Sequence, residues 1–383
     1  MRLTEPAPSS PVPVSIHLPR TLFGAGTIAA LREVLADADV RRPLIVTDRG
    51  IVGAGLVDRV GTAIGDRATP ALFDGVMENP LFANADQGAA AYKASDCDGV
   101  IAVGGGSVID VAKYIALLAT HGGRTADYAG VEGARIGRLA PLFVIPTTAG
   151  TGSEANGTAG IHPDAASVAA GVFSHQVMPQ LVILDPEMTL SLPPRLTAAT
   201  GIDALSHCIE GYLSRNDAPF LNEIALDGAR RAWANVRAAT ERGSDLSIRT
   251  EMLLAAYAGG VAITMGLGAA HAIAVGCGDQ GYHHGVLSGI GLVAALDGIA
   301  EHRPERAEAL RDALGLAPDA SLSGAVAGLM EALGLPSSLR ALGYRVDDID
   351  RLAIEAHRSF FNLSAYHHPS AGEYRAMLQG SLA

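Results

Sequence analysis

Four short, unbroken apolar runs, separated by helix-length segments, limit most tightly what this chain can form. They are Pro43-Leu-Ile-Val-Thr-Asp48, Gly99-Val-Ile-Ala-Val103, Leu142-Phe-Val-Ile145 and Leu181-Val-Ile-Leu184. A strand with one wet face alternates apolar with polar side chains, whereas a run without polar breaks is buried on both faces. The spacers, such as residues 51–64 and 84–94, have the length and patterning of helices. Continuous strands alternating with helices predict a parallel, Rossmann-like α/β sheet covered on both sides.

Past Asp185-Pro186 the pattern changes. Residues 196–213, 220–239, 248–265, 286–300, 303–314, 322–333 and 347–358 read as helices, and strand-like runs nearly vanish. This predicts an α/β domain over 15–186 and an all-α domain over 187–383. The length, 383 residues, agrees with two or three domains at about 150 residues each. Residues 1–14 hold four prolines and two serines without the apolar core of a signal peptide, and read as a flexible tail.

Hydrophobic residues make up 49% of the chain and charged ones 18%, which suits a large core and not a disordered chain. The net charge of −12 repels phosphate backbones, so nucleic acid is not expected as a partner. Cys97, Cys208 and Cys277 lack CxxC spacing, make no disulfide framework and fit a reducing cytoplasm. No run of about 18 apolar residues is free of breaks, so no membrane span is expected.

Two constellations carry chemistry. Val103-Gly-Gly-Gly-Ser-Val-Ile-Asp110 follows a strand and opens an apolar helix over 108–118. Its glycines let backbone N–H groups approach a ligand, and the helix N-terminus adds partial positive charge, so a pyrophosphate fits. The loop is neither GxGxxG nor a Walker loop, and by itself such a segment is more often a tight turn. Asp48, at the end of a strand, either caps a helix or accepts from a ribose 2′-hydroxyl, where it would repel a 2′-phosphate.

Asp203 and His207 stand four apart, on one face of a helix if one forms there. Alone, they read as a hydrogen-bonded pair. A second cluster, His271 with His283 and His284, sits in glycine-rich, weakly charged surroundings. Asp203, His207, His271 and one of His283 or His284 make a carboxylate–imidazole set that suits Fe(II) or Zn(II).

Taken in order, several segments resemble the iron-containing (group III) alcohol dehydrogenases, from about residue 15 to the carboxyl terminus. They are Phe23-Gly-Ala-Gly26, Val46-Thr-Asp48, Glu78-Asn-Pro80, Gly104-Gly-Gly-Ser-Val-Ile-Asp110, Pro146-Thr-Thr-Ala-Gly-Thr-Gly-Ser-Glu154, Asp185-Pro186, Gly201 through Gly211 and Gly266 through Gly285. The resemblance implies a dinucleotide-binding α/β domain followed by a helical metal domain, acting as a homo-oligomer such as a dimer. It implies metal ligation by Asp203, His207, His271 and His284. It implies a cofactor site lined by Asp48, Asn79, Gly105, Gly106, Ser107, Asp110, Thr147 and Thr148. The implied reaction is hydride transfer between a small primary alcohol or aldehyde and NAD, with NADP the alternative.

The sequence departs from that family in four places. Val275 stands where a histidine is usual, and the stretch from His271 to His284 is one residue short. Residues 155–185 contain no Lys or Arg, and Tyr366-His-His-Pro369 replaces an Asn-Pro-Arg. With Val275 unable to carry a proton, His283 is the expected relay, with His367 or His368 behind it and Cys277, Asp279 and Tyr282 close in sequence. Competing readings are a metal-independent reductase resembling maleylacetate reductase and a non-catalytic metal- or nucleotide-binding protein. A lyase resembling dehydroquinate synthase is disfavoured by Asp203, where a Glu is usual, and by the lack of basic residues near the histidines.

Overall fold

A computed structural model describes residues 14–131 and 135–383. The tail expected over 1–14 lies, except for Val14, outside the described residues. Among the described residues eight strands form: β1 Arg20–Phe23, β2 Pro43–Val46, β3 Ala71–Phe73, β4 Gly99–Gly104, β5 Leu142–Pro146, β6 Thr158–Ile161, β7 Ala170–Phe173 and β8 Leu181–Leu184. Six make one parallel sheet in the order β1-β8-β5-β4-β2-β3, and β6 and β7 pair as an antiparallel hairpin outside it.

The four apolar runs are the four inner strands. Their side chains alternate between two cores, so every position must be apolar. Ile45, Ile101, Val103, Phe143, Ile145 and Ile183 pack with Leu31, Leu35 and Val60 on one face. Leu44, Val46, Val100, Ala102, Val144 and Val182 pack with Ile109, Val111 and Ala112 on the other. Strands β1 and β3 escape sequence reading because they are edges, where only one neighbour dictates composition. The helix expected over 51–64 is two helices, Arg49–Gly53 and Leu56–Ile64. Gly55 between them takes a φ of 74°, which ends the first helix.

The chain reverses direction across the sheet between β2 and β4. β3 lies outside β2, and the chain then crosses back to β4, β5 and β8. The loops after β2 and β4 therefore open a crevice at the carboxyl edge, where parallel α/β sheets bind ligands.

After β8 the described residues are helical. Pro194–Leu213, Pro219–Glu241 and Leu246–Ala262 pack against one another, and His284–His302 packs on Ala269–Gly276 and on Pro194–Leu213. Among the described residues two segments are long and apolar enough to cross a membrane, Leu246–Met265 and His284–His302, each 61% buried. Both are central to this bundle, and core helices pass the same test.

One close approach joins the two halves, and one buried cation braces the α/β half. Gly152, at φ 61°, touches Gly260 backbone to backbone; a Cβ on Gly152 would lie 2.3 Å from the Gly260 Cα. No larger residue fits at either position. Beneath the cleft, Lys113 is fully buried. Its ammonium donates to the carbonyls of Ser153 (2.7 Å), Asn156 (3.0 Å) and Thr158 (2.5 Å) and to Ser153 Oγ (3.0 Å). Burial pushes its pKa down to about 8, partly offset by the Asp110 and Glu154 carboxylates. The lysine thus ties the helix Gly106–His121 to the hairpin that follows β5. Lys113→Met would strand these acceptors, and buried acceptors left unpaired are costly. A stability loss of about 3 kcal/mol is expected in urea unfolding; a loss below about 1 kcal/mol would show that water replaces the ammonium.

Candidate metal and cofactor cleft

One cleft of about 2280 Å³ runs between the sheet's carboxyl edge and the helical half. All thirteen site residues expected from the sequence line it.

On the sheet side, Gly105 is the N-cap of the helix Gly106–His121 and Ser107 lies in its first turn. A Cβ on Gly106 would come within 2.4 Å of Thr151 Cγ2, and one on Gly105 within 2.9 Å of Thr148 Cγ2. Only glycine lets Thr148 and the loop after β5 close over the helix N-terminus. Asp48 is a helix cap that also lines the cleft. Its Oδ1 accepts from the Ile51 N–H at 3.0 Å, capping Arg49–Gly53, while the residue faces the cleft. Asn79 lines the same end with a φ of 52°. Asp110 is committed to the protein: its oxygens accept from Ser153 Oγ and from the Gly160 N–H at 2.9 Å. Burial raises its pKa, opposed by Lys113.

On the helical side, Asp203 and His207 project from Pro194–Leu213, His271 from Ala269–Gly276, and His284 from the first turn of His284–His302. One ligand atom from each lies within 4.8 Å of the others. Asp203 Oδ1 is 3.9 Å from His207 Nε2 and 3.8 Å from His284 Nε2, too far for hydrogen bonds. Asp203 Oδ1, His207 Nδ1 and His271 Nε2 are buried without a hydrogen-bond partner among the described residues. Orphaned buried polar atoms are costly, and a divalent cation at this spot completes Asp203 Oδ1 and His271 Nε2, with His207 offering Nε2, the nitrogen that faces Asp203. The donor set, one carboxylate and three imidazoles, fits such an ion.

The electrostatics agree. Burial first, then the neighbouring imidazoles, push His207 down to about 3 against the pull of Asp203, so the ring is neutral. His284 is lowered as well, by burial first, although its side chain is 45% exposed toward the cleft and solvent moderates the effect. Burial would raise Asp203, but the three imidazoles hold it below the usual carboxylate range.

Glu210 was not singled out from the sequence, although it lies within the matched segment. It follows His207 by three residues, so Asp203, His207 and Glu210 share one helix face. Its buried carboxylate takes the His271 Nδ1–H and also accepts from the backbone N–H groups of Ala270 (2.9 Å) and His271 (3.1 Å). Against burial, this carboxylate raises the His271 pKa, and it leaves Nε2 as that ring's ligand atom.

The expected relay, His283, is the N-cap of His284–His302, and its Nδ1 accepts from the Gly285 N–H at 3.1 Å. The neutral ring therefore carries its proton on Nε2. His367 pairs with Glu373 and stacks on His302, and His368 binds the His357 carbonyl; neither lines the cleft. Asp279 and Tyr282 turn to Tyr344 and to the Gly343 carbonyl. Cys277 is buried, its thiol pushed up to about 12. Val275 does line the cleft.

The family model for iron-containing alcohol dehydrogenase matches residues 19–186, and that for the Fe-containing alcohol dehydrogenase family C-terminal domain matches 197–381. The chain belongs to the iron-containing alcohol dehydrogenase family. Among its relatives is 4-hydroxybutyrate dehydrogenase of Cupriavidus necator, 39% identical over 371 residues, spanning 93% of this chain and 96% of that protein. The NAD-dependent methanol dehydrogenase of Bacillus methanolicus is 33% identical, spanning 88% and 91%. Among solved structures, 1,3-propanediol oxidoreductase superposes with a TM-score of 0.91 at 29% identity, covering 97% of this chain and all of that one. Sulfoacetaldehyde reductase of Bifidobacterium kashiwanohense, in complex with NAD+, gives 0.88 at 25%, covering 97% and 99%. The chain is thus an alcohol-type oxidoreductase by family.

Removing a ligand should empty the site without unfolding the bundle. His207→Ala is expected to cut metal per chain, by plasma emission spectrometry, to under a tenth of the parent with an unchanged circular dichroism spectrum. Glu210→Gln should weaken metal affinity roughly tenfold. Parent-like metal content in the first variant would remove Asp203, His207, His271 and His284 as the ligand set.

Proposed function

We propose that this protein interconverts small primary alcohols and aldehydes with NAD(H), using Fe(II) or Zn(II) held by Asp203, His207, His271 and His284. The observation that carries the reading is the placement of two orphaned, buried ligand atoms, Asp203 Oδ1 and His271 Nε2, beside His207 and His284 in the same cleft as a glycine-capped helix N-terminus. When bound, the cation supplies Lewis-acid polarisation of the substrate oxygen, and the nicotinamide carries the hydride. The chain's own residues do the rest. The N–H groups at Gly106 and Ser107 receive the pyrophosphate. Asp48 faces the ribose, where its charge disfavours a 2′-phosphate. Glu210 fixes the tautomer and orientation of His271. The three cysteines, all free, fit a reducing compartment such as the cytoplasm.

A metal-free reductase, the competing reading, would have no use for a buried carboxylate facing three imidazoles. One further observation bears on the substrate. Arg215 lines the helical side of the cleft, half-buried, with no carboxylate within 4.0 Å among the described residues. An arginine so placed suits a substrate with an anionic end, such as the one named for the relative from Cupriavidus necator.

Steady-state assays test these points. NAD should exceed NADP in kcat/KM by at least tenfold, and Asp48→Asn, which keeps the helix cap and removes the charge, should narrow the gap. Equal values in the parent would overturn the preference. Arg215→Gln should lower the ratio of kcat/KM for 4-hydroxybutyrate over 1,4-butanediol about tenfold, the scale of one charged hydrogen bond. An unchanged ratio would exclude Arg215 from substrate selection.

A further inference from the structure

Alcohol oxidation releases a proton as well as a hydride, and the cleft must offer a lone pair to take it. Its histidines outside the ligand set are His17, His162, His175 and His283. His17 and His175 stack on each other, and their ring nitrogens bind Ser15 and Gln176. His283 spends its Nδ1 lone pair on the Gly285 N–H, so the other nitrogen of its neutral ring is a donor.

His162 has the opposite polarity. It lies just past β6 in the hairpin, half-buried, and its Nδ1 is 2.7 Å from the Ser167 carbonyl oxygen. A carbonyl can only accept, so Nδ1 carries the hydrogen and Nε2 holds the free lone pair. The backbone is pinned from both sides: the His162 N–H donates to Pro80 O and the Phe82 N–H donates to His162 O, each at 2.8 Å. The ring is thus held at the cleft wall with its basic nitrogen uncommitted. His284 lines the same cleft, and Asp164 is the acidic group near His162 on its own hairpin.

We propose that His162 is the general base of alcohol oxidation, taking the hydroxyl proton on Nε2 directly or through one water. The inference rests on the function proposed above. The O–H bond breaks, with its proton passing to Nε2. The carbinol C–H bond breaks, with its electron pair passing as hydride to NAD+, and the C=O bond forms. The products are aldehyde, NADH and a histidinium that returns its proton to solvent. In aldehyde reduction the same ring, protonated, is the donor.

The test compares the metal-loaded parent with His162→Ala, His162→Gln and His283→Ala, using 1,4-butanediol and NAD+. His162→Ala is expected to lower kcat about a hundredfold, within the usual range for a positioned base. Metal content and the Kd for NADH, by fluorescence, should stay within twofold of the parent. The acid limb of its kcat/KM profile should flatten, and added imidazole should restore part of the rate. His162→Gln keeps a donor toward Ser167 but has no basic nitrogen, so it should be equally slow while folding as the parent does. A parent-like rate and pH profile in His162→Gln overturns the proposal, as does a comparable loss confined to His283→Ala. A parent that turns over no alcohol with NAD+ overturns the proposed function itself, and the base with it. An active parent with indifferent His162 variants removes only the base.

Discussion

The bundle is organised around a carboxylate that it buries without a hydrogen-bond partner for one oxygen. Asp203 Oδ1 sits in protein, faced by imidazoles too distant to bond it. Such a group is tolerated only if something charged completes it. Three helices converge to place its neighbours: Pro194–Leu213 brings His207, Ala269–Gly276 brings His271 and His284–His302 brings His284. Close packing at glycine makes that convergence physical. A Cβ at Gly285 would lie 2.3 Å from the Ala199 carbonyl oxygen, and one at Gly291 2.2 Å from that of Ala270. The glycine-rich surroundings of the histidines are therefore the means by which the helix backbones approach, rather than flexible loop.

The sheet supplies the opposite wall by a different constraint. A parallel sheet must reverse its winding somewhere, and here the reversal between β2 and β4 places Asp48 and Gly105 on either side of one crevice. The two walls meet at Gly152 and Gly260. Beneath them, the buried ammonium of Lys113 replaces the ladder of hydrogen bonds that the segment between β5 and β6 lacks. That segment carries Thr147 and Thr148 on one side and leads to His162 on the other, so one buried cation steadies both the cofactor wall and the hairpin.

Helix and inner-strand content was legible because burial on two faces, or on one helical stripe, leaves a period in the sequence. The β6–β7 hairpin was not. Gly160 and Gly171 pair across it and each strand has only four residues, so the buried Ala159, Ile161 and Val172 are too few to register as a period. Glu210 was hidden for another reason. A carboxylate three residues after His207 looks like any helix-surface charge until the fold turns it onto His271.

The sequence by itself determined the inner strands, the helical second half, the glycine turn that opens a helix, and the identity of the residues that could hold a cation. These depend on local period and residue chemistry, which survive without coordinates. Tertiary structure decided which atoms are left unpaired. It gave Asp48 both a cap and a view of the cleft, and it spent the His283 lone pair on a backbone amide. It also left one nitrogen of His162 uncommitted at the cleft wall, on a hairpin too short to mark itself in the sequence. Hydrogen-bond partners come from segments distant in the chain, so the tautomer of a histidine and the availability of a carboxylate oxygen are fixed only once those segments pack.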